Sequence, residues 1–362
     1  MTKRFYSVIK GTGAYIPPKR VTNEDFLKNE FYNQNGEKLE KENSEIIRKF
    51  YEITEIEERR YVDDEYVTSD IGYFAAADAL ESSKTDKEEL DYLIVAHNFG
   101  DVRKDNPRSD MVPSLAARIK AKLGIKNPFT VAFDLPFGCP GWLQGVIHAD
   151  YFIRSGDAKK VMVVGAETLS RISDPHDIDS MLYSDGAGAV ILESVESDVP
   201  VGILSHLTRS DCVEYSRLLS MGPSNNPFYK GTEIFLKMNG RKLYEYALNT
   251  VPQMVKDCLA KAGVLFQDVR KILIHQANSK MNQAILSRLY KLFGNNEVSG
   301  TIMPMTISKL GNSSVATIPI LLDMIFKNNF SGQQIELTDC FVMASVGAGM
   351  NVNVVVYQMP TE

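Results

Sequence analysis

The sequence predicts an α/β protein with largely parallel sheets, built from two halves of like topology. Short apolar runs rich in β-branched residues alternate with amphipathic stretches along the chain. Strands that alternate with helices in this way are typical of βαβ units. Part of the pattern also recurs at a nearly constant offset, which indicates an internal duplication.

The predicted elements follow from these patterns in chain order. The N-terminal stretch is interpreted as a first strand, and the apolar runs predict further strands at 91–98, 159–167, 187–194, 271–278 and 340–349. The amphipathic stretches predict helices at 70–83, 114–124, 242–262 and 280–293. The segment 98–113 is polar and rich in turn-forming residues, so we expect a long surface loop there.

Three matches in the same order locate the two halves. Residues 91–98 resemble 268–278 at an offset of roughly 177 to 180 residues, and 161–166 resemble 342–348 at an offset of about 181. Cys139 and Asn312 each precede a helical run. We therefore expect a first half at 1–195 and a second at 196–362, with an active site in the cleft between them.

Composition excludes several classes of protein. The chain has 362 residues, a net charge of −6, 44% hydrophobic and 24% charged residues, which is ordinary for a soluble enzyme. The small acidic excess gives no sign of nucleic-acid binding, and the apolar runs are too short to span a bilayer. No secretory signal is recognisable, so we expect a cytoplasmic protein. Four cysteines without a CxxC pattern indicate neither a disulfide framework nor a metal site.

Cys139 is the first candidate catalytic residue. It lies in the motif FGCPGW (137–142), between a strand-like run and a helical run in which Leu143, Val146, Ile147 and Tyr151 fall near one face. Pro140 suits the first helical position. The partial positive charge at a helix start is expected to stabilise the thiolate and lower the pKa of the cysteine. The alternative is a buried structural cysteine, the commoner fate of a free thiol.

Polar groups at two further places complete a candidate site. His275 lies in IHQAN (274–278), at the end of a predicted strand and before a helix that Asn278 can cap, where ligands bind in α/β proteins. Asn312 lies in LGNSS (310–314), either as turn chemistry or as an amide that donates into a pocket. A structural role is the alternative for the histidine.

The glycine turn VGAGM (346–350) opens no helix, so we expect it to offer backbone N–H groups to an oxyanion instead of binding a dinucleotide. Together with Cys139, His275 and Asn312 it predicts chemistry on a thioester acyl-enzyme. Papain-like proteases also combine Cys, His and Asn. They are normally secreted and disulfide-bonded, with the cysteine early in the mature chain, and neither feature is seen here.

These motifs resemble the ketoacyl synthase III family of the thiolase superfamily over nearly the whole chain. Besides Cys139, they are GTGAYIPPKRVTNEDF (11–26), DGAGAVIL (185–192), HQAN (275–278) and GNSSVATIP (311–319). The resemblance implies an α/β thiolase fold, with duplicated βαβαβ halves in five α-β-α-β-α layers, usually as a homodimer. It implies that Cys139 accepts an acyl group from a thioester, and that His275 and Asn312 stabilise the enolate of an extender. The N–H groups of Cys139 and Ala348 would form the oxyanion hole, with no metal or redox cofactor.

Several positions depart from the family's pattern. The Trp and Arg that grip coenzyme A in the family are absent from 48–56, and Ile178 stands where a further Arg is expected. We therefore expect acyl groups to arrive mainly on an acyl carrier protein. Lys280, Arg288 and Lys291, on the helix after HQAN, are candidate contacts for its acidic surface and phosphate, and an ordinary solvated basic face is the alternative.

The expected acyl pocket differs as well. Met111 and Val112 occupy a stretch where the family often has a Phe that reaches across the dimer, which predicts a medium or long acyl chain instead of acetyl. Val346 stands where the family often has a Phe beside the cysteine, and Pro140 replaces an Ala, which together indicate a specialised pathway member.

The predicted function is a Claisen-condensing enzyme of a fatty-acid-like or secondary-metabolite pathway, with the latter favoured. The alternatives are a ketosynthase that joins two acyl chains into dialkylresorcinol-type products, and a non-condensing acyltransferase that uses the same cysteine. The intact Cys, His and Asn set argues against a catalytically dead partner subunit.

Overall fold

The computed structural model describes residues 4–295 and 300–361. Its strands are β1 (Arg4–Tyr15), β2 (Lys19–Thr22), β3 (Glu58–Tyr61), β4 (Tyr92–Ala96), β5 (Asp101–Val102), β6 (Ser109–Asp110), β7 (Val131–Leu135), β8 (Lys160–Thr168), β9 (Asp185–Ser197), β10 (Gly202–Ser210), β11 (Leu219–Gly222), β12 (Phe235–Met238), β13 (Val269–Ile274), β14 (Cys340–Gly347) and β15 (Asn351–Gln358). Its α-helices are α1 (Asn43–Thr54), α2 (Thr68–Ser83), α3 (Leu115–Leu123), α4 (Gly141–Ser155), α5 (Cys212–Tyr215), α6 (Gly240–Ala262), α7 (Ser279–Leu292), α8 (Ile307–Leu310) and α9 (Thr317–Phe326). The predicted strands and helices all have counterparts, with ends shifted by a few residues, and the expected loop at 98–113 contains the short strands β5 and β6.

Two sheets form the centre of the molecule. The first has the order β1-β9-β8-β4-β7 and the second the order β10-β15-β14-β13. The prediction of largely parallel sheets is wrong in part: β4 runs parallel to β7 and β8, and β13 to β14, but β9 and β15 are antiparallel to both of their neighbours. Only residues 348–350 separate β14 from β15. A link this short has no room for the crossover that a parallel pair requires.

The sheets and helices stack in the five α-β-α-β-α layers that the sequence predicted. Helices α2 and α3 cover the outer face of the first sheet, and α6 and α7 cover the outer face of the second. Helices α4 and α9 lie between the sheets, in a core that draws side chains from both of them: Trp142, Val146, Leu321, Val163, Phe341 and Val355. Burial of this apolar surface from both sides provides the main driving force for the arrangement.

The two central sheets are built from different parts of the chain, as the predicted division into two halves requires. The first sheet is built from residues 4–197 and the second from 202–358. The repeat matched β4 with β13 and β8 with β14, and β8 and β14 have equivalent neighbours if β9 corresponds to β15. The match is incomplete at the edge, because β4 also pairs with β7 whereas β13 ends its sheet. The boundary at residue 195 stays a proposal; it falls within the last residues of β9, close to the change from one sheet to the other between residues 197 and 202.

Helix α4 begins within the motif that contains Cys139. Of the four residues that fall near one of its faces, Leu143, Val146 and Ile147 are buried, whereas Tyr151 is 53% exposed. The Tyr151 ring lies 4.9 Å from the His206 ring. Among the described helices, none is long and apolar enough to cross a membrane.

Candidate active site

A mainly apolar cavity of about 640 Å³ lies where the two sheets present the ends of their strands. Cys139, His275 and Asn312 all line it, although they lie far apart in the sequence. Val346, the predicted pocket residue on β14, lines it too. The remaining walls are built largely from apolar side chains that include Leu39, Ile46, Phe50, Leu169 and Leu182. The fold thus brings the three predicted catalytic residues to one mainly apolar cavity.

The backbone around Cys139 is packed against the end of β14. Helix α4 begins at Gly141 with Pro140 as its N-cap, so Cys139 lies just ahead of the helix. A Cβ on Gly347 would lie 2.6 Å from the Cys139 backbone N, and a Cβ on Gly138 would lie 2.9 Å from that of Ala348. Only glycine permits this approach, and Gly138 also has a φ of +71°. In the described part of the chain no carbonyl, carboxylate or hydroxyl oxygen accepts from the N–H groups of Cys139 and Ala348, so both can donate to an oxyanion.

Ser314 connects the catalytic side chains, and sequence reasoning gave it no role. Its hydroxyl donates to Cys139 Sγ at 3.4 Å and accepts from Asn98 Nδ2 at 3.2 Å. Its N–H donates to Asn312 Oδ1 at 2.8 Å. With a φ of +53° it adopts the left-handed conformation that non-glycine residues avoid. Such local strain persists where surrounding contacts enforce it, and here those contacts are to the predicted catalytic residues Cys139 and Asn312.

The surroundings of Cys139 raise the pKa of its thiol to about 11, so the expectation of a lowered pKa is wrong. Burial is the largest cause, and the nearby charge of Glu167 adds to it, whereas the Ser314 hydrogen bond acts in the opposite direction. Glu167 is itself buried, and burial raises its pKa to about 7. Asn98 holds the Glu167 carboxylate through its N–H and its Nδ2, at 3.1 and 2.6 Å. The resting thiol is therefore protonated at neutral pH.

His275 is neutral in the folded protein. Burial lowers its pKa to about 4. Its Nδ1 lies 2.7 Å from Thr317 Oγ1, and the same hydroxyl lies 3.1 Å from the Ser314 carbonyl oxygen. The hydroxyl has one proton, which can be donated either to the Ser314 carbonyl or to Nδ1. We assign it to the shorter contact with Nδ1, in place of the contact with the carbonyl, so that Nδ1 accepts and Nε2 carries the ring proton. His275 then serves as a hydrogen-bond donor without a net charge.

Asn312 is held by its backbone and by one side of its amide. Its N–H donates to the Leu182 carbonyl at 2.9 Å, and its own carbonyl accepts from the Ser184 N–H at 2.8 Å. Because Oδ1 accepts from Ser314, the amide NH₂ is the group left for a ligand, and no acceptor receives it within the described residues. The predicted cap at Asn278 is also present, since its Oδ1 accepts from the Met281 N–H at 3.1 Å at the start of α7.

Two sets of predicted residues lie away from the catalytic cavity. Met111 and Val112 are 42% and 86% exposed and line a different, polar depression, so within this chain they do not form the acyl pocket. Their predicted contribution across a dimer stays a prediction. Lys280, Arg288 and Lys291 are exposed on α7, and Arg288 is already engaged by the Leu248 carbonyl at 3.2 Å and by Asn249.

Exposed basic side chains at the rim of the cavity were not foreseen. Lys41 lines the cavity from the segment before α1, Lys49 from α1 itself and Arg241 from the start of α6. They form ion pairs with Glu45 and Glu245. No local pattern could have grouped them, because nearly two hundred residues separate Arg241 from the other two. As for metals, the described residues contain no group of three or more His, Cys, Asp or Glu side chains that could hold an ion.

Comparisons with known proteins agree with this geometry. A family model described as 3-oxoacyl-[acyl-carrier-protein (ACP)] synthase III matches residues 133–211, and the model of its C-terminal domain matches 259–359. A beta-ketoacyl-[acyl-carrier-protein] synthase III from Xanthomonas campestris pv. campestris is 34% identical over 329 residues, which cover 89% of this chain and 90% of the relative. This chain belongs to the 3-oxoacyl-acyl-carrier-protein synthase III family.

Solved structures of synthase III enzymes have the same fold. The enzyme from Aquifex aeolicus is 29% identical with a TM-score of 0.78, over 97% of this chain and 99% of that one. The enzyme from Thermus thermophilus is 28% identical with a TM-score of 0.79, over 98% and 100% of the two chains. The predicted thiolase fold and family are therefore confirmed. As a member of the synthase III family, this chain is a condensing enzyme of the acyltransferase type.

Proposed function

We propose that this synthase III-type enzyme carries a medium or long acyl chain on Cys139 and joins it to a second acyl thioester by Claisen condensation, in a fatty-acid-like or secondary-metabolite pathway. The observation that carries the proposal is the cavity itself. One apolar space of about 640 Å³, a size typical of ligand sites, is lined by a thiol, a neutral imidazole and a free amide NH₂. An apolar chain can occupy the walls while its thioester lies among the polar groups.

The first half-reaction is transfer of the acyl group to Cys139. The sulfur attacks the thioester carbonyl, the bond to the carrier sulfur breaks, and the thiol proton passes to the departing carrier thiolate. The oxygen carries negative charge in the tetrahedral intermediate, and the N–H groups of Cys139 and Ala348 are the donors placed to stabilise it. Since burial raises the pKa of the thiol to about 11, these donors must lower the barrier without help from a preformed thiolate.

The second half-reaction forms the carbon–carbon bond. The second thioester becomes an enolate, either by release of carbon dioxide or by transfer of an α-proton to water, and its carbon attacks the acyl-Cys139 carbonyl. The carbon–sulfur bond breaks, and the sulfur takes up a proton from water to restore the thiol. The Nε2–H of His275 and the Nδ2–H of Asn312 are the donors available to the enolate oxygen. Neutral donors suit this task because they remain unchanged across the physiological pH range.

Substitution of Asn312 separates condensation from simple acyl transfer. In Asn312→Ala we expect the acyl adduct on Cys139 to form, as detected by intact-mass spectrometry, while the condensed product falls by about 100-fold, the loss typical of one oxyanion donor. Asn312→Asp keeps the acceptor for the Ser314 N–H and should lose condensation as well, which excludes mere loosening of Ser314. Condensation at the wild-type rate in both variants would refute the role of Asn312. Transfer of the acyl group to an alcohol or amine at the wild-type rate in both variants, with no condensed product from the wild type, would favour the non-condensing acyltransferase.

We propose an acyl carrier protein as the habitual donor. The support is the absence of the family's coenzyme A clamp from 48–56, together with the exposed cations Lys280 and Lys291 on α7, the helix that follows the His275 motif. Charge reversal of both lysines should raise KM for an acyl-carrier substrate and leave KM for the coenzyme A form of the same acyl group unchanged. Reversal of the exposed Lys126 is the matched control. A preference of the wild type for coenzyme A would contradict the proposal.

We also propose a homodimer that pairs along β7. This strand ends the first sheet, with Val131 47% exposed, and Phe129 just before it is 83% exposed. An exposed apolar edge strand is a template for pairing with a second copy. Light scattering should give the mass of a dimer for the wild type and of a monomer for Val131→Lys, whereas Val213→Lys, at a site that is 99% exposed, should leave the dimer intact. A monomeric wild type would contradict the proposal.

A further inference from the structure

One wall of the catalytic cavity carries a phenol hydroxyl that no other group uses. Tyr183 lines the cavity with Cys139, is 3% exposed, and pairs by its backbone with Asn312. Within the described residues its hydroxyl has no hydrogen-bond partner. Buried hydroxyls in folded proteins are nearly always paired, because an unpaired one keeps the full cost of its desolvation. Because Tyr183 lines the cavity, its hydroxyl is available to pair with a group that enters it.

A carboxyl group lies on the same segment. Asp179 belongs to the 3₁₀ helix Ile178–Leu182 and lines the same cavity. Its N–H donates to Asp177 Oδ1 at 3.1 Å, but no donor in the described part of the chain reaches its carboxylate. The neighbouring cation Lys237 is engaged instead by Asp174 and Asp177, at 2.5 and 3.1 Å. Asp179 thus adds an unpaired acceptor to an otherwise apolar wall.

The two groups lie close enough to affect one another. The charge of Asp179 is the largest cause after burial that raises the pKa of Tyr183. Burial, with the charge of Asp177, raises the pKa of Asp179 to about 7. Asp179 in the 3₁₀ helix Ile178–Leu182 and Tyr183 just after it both line the cavity, so one segment offers it a donor and an acceptor.

We infer that this pair recognises a hydroxyl group on the acyl chain, so that the preferred substrate is a hydroxyacyl thioester. A hydroxyl can accept from Tyr183 Oη–H and donate to the Asp179 carboxylate at the same time. A keto group only accepts, so it would leave Asp179 unpaired. An ammonium group only donates, so it would leave the Tyr183 hydroxyl unpaired. A saturated chain can do neither and would leave both side chains unpaired. The inference rests on the proposed function, because it names the substrate class of the same cavity.

A competition experiment tests the inference. The enzyme is offered equal amounts of two thioesters of the same chain length, one unsubstituted and one with a hydroxyl group, and the position of the hydroxyl is varied along the chain. Intact-mass spectrometry reports which acyl group is attached to Cys139. For at least one hydroxyl position we expect a preference of roughly fivefold to tenfold for the hydroxyacyl group, the effect of one net hydrogen bond.

Matched variants connect that preference to the two side chains. Tyr183→Phe removes the donor and Asp179→Leu removes the acceptor, and each should bring the ratio of the two adducts close to one. Ser180→Ala is the control, because Ser180 has a buried, unpaired hydroxyl on the same 3₁₀ helix but does not line the cavity, and it should keep the wild-type ratio.

The outcomes separate this inference from the proposed function. Equal loading of both acyl groups at every hydroxyl position, or preference for a keto or amino analogue, overturns the hydroxyl assignment while the acyl-enzyme stands. Absence of any adduct on Cys139 overturns the proposed function and the inference with it. A hydroxyacyl preference that survives Tyr183→Phe and Asp179→Leu overturns the assignment to this pair.

Discussion

Replacement of Gly347 by alanine should displace the nucleophile without changing its chemistry. A Cβ at this position would lie 2.6 Å from the Cys139 backbone N, 2.8 Å from Cys139 Cβ and 2.7 Å from Pro140 Cδ. Ordinary contacts begin at 3.4 Å. The end of β14 and the Cys139 loop must therefore separate by about 0.6 to 0.8 Å, close to the 1 Å displacement that costs an active site on the order of 100-fold in rate.

We expect Gly347→Ala to slow acylation of Cys139 by about 10- to 100-fold and to lower the free energy of unfolding by roughly 1–3 kcal/mol, as overpacking does. A single-turnover time course by intact-mass spectrometry measures the first effect, and urea unfolding measures the second. Gly300→Ala is the control, because nothing lies within 4 Å of a Cβ there and both quantities should stay unchanged. Wild-type acylation and stability in Gly347→Ala would refute the argument that close packing against β14 holds Cys139 in place.

Three further predictions concern the charge of Glu167, the charge of His275 and the tautomer of the His275 ring. Because the charge of Glu167 helps to raise the pKa of Cys139, Glu167→Gln should move the pH midpoint of thiol alkylation downward. The native pKa of Glu167, about 7, lies above its ordinary value of 4.5, so the wild type should lose stability as pH rises between these values and the variant should lose less in urea unfolding. His275, with a native pKa of about 4 against an ordinary 6.5, should cost stability as pH falls through that window, and His275→Gln should flatten the loss. Thr317→Val should lower kcat for condensation by about 10-fold through loss of the Nδ1 partner, and Thr317→Ser should restore it, whereas equal rates in the two variants would contradict the tautomer assignment.

The fold and the three main site residues could be predicted because their signals are local. Alternating periodicity locates the strands and helices, and His275 and Asn312 stand in motifs at strand and helix boundaries that one short window contains. The direction of β9 and β15 could not be predicted in this way. It depends on which strands become neighbours, and the two halves place β9 and β15 beside strands that run the other way.

The electrostatics of the nucleophile were also beyond the sequence. A cysteine before a helix suggests a lowered pKa, but the degree of burial decides the sign, and burial comes from residues remote in the chain. Asn98 and Ser314, which are joined by a hydrogen bond of 3.2 Å, are 216 residues apart. No motif around Ser314 indicates its contact with Cys139 or its positive φ, because both are imposed by tertiary packing.

The resting site relies on oriented donors instead of fixed charges. Cys139 is protonated and His275 is neutral, and in each case burial is the main reason. In the proposed reaction, negative charge appears first on the oxygen of a tetrahedral intermediate and then on an enolate oxygen. The backbone N–H groups of Cys139 and Ala348, the amide of Asn312 and the ring N–H of His275 are already oriented when that charge develops. In an apolar cavity such preorganised dipoles act at short range with little screening by water. The burial that makes the free thiol a weak acid is thus the same feature that makes these donors effective.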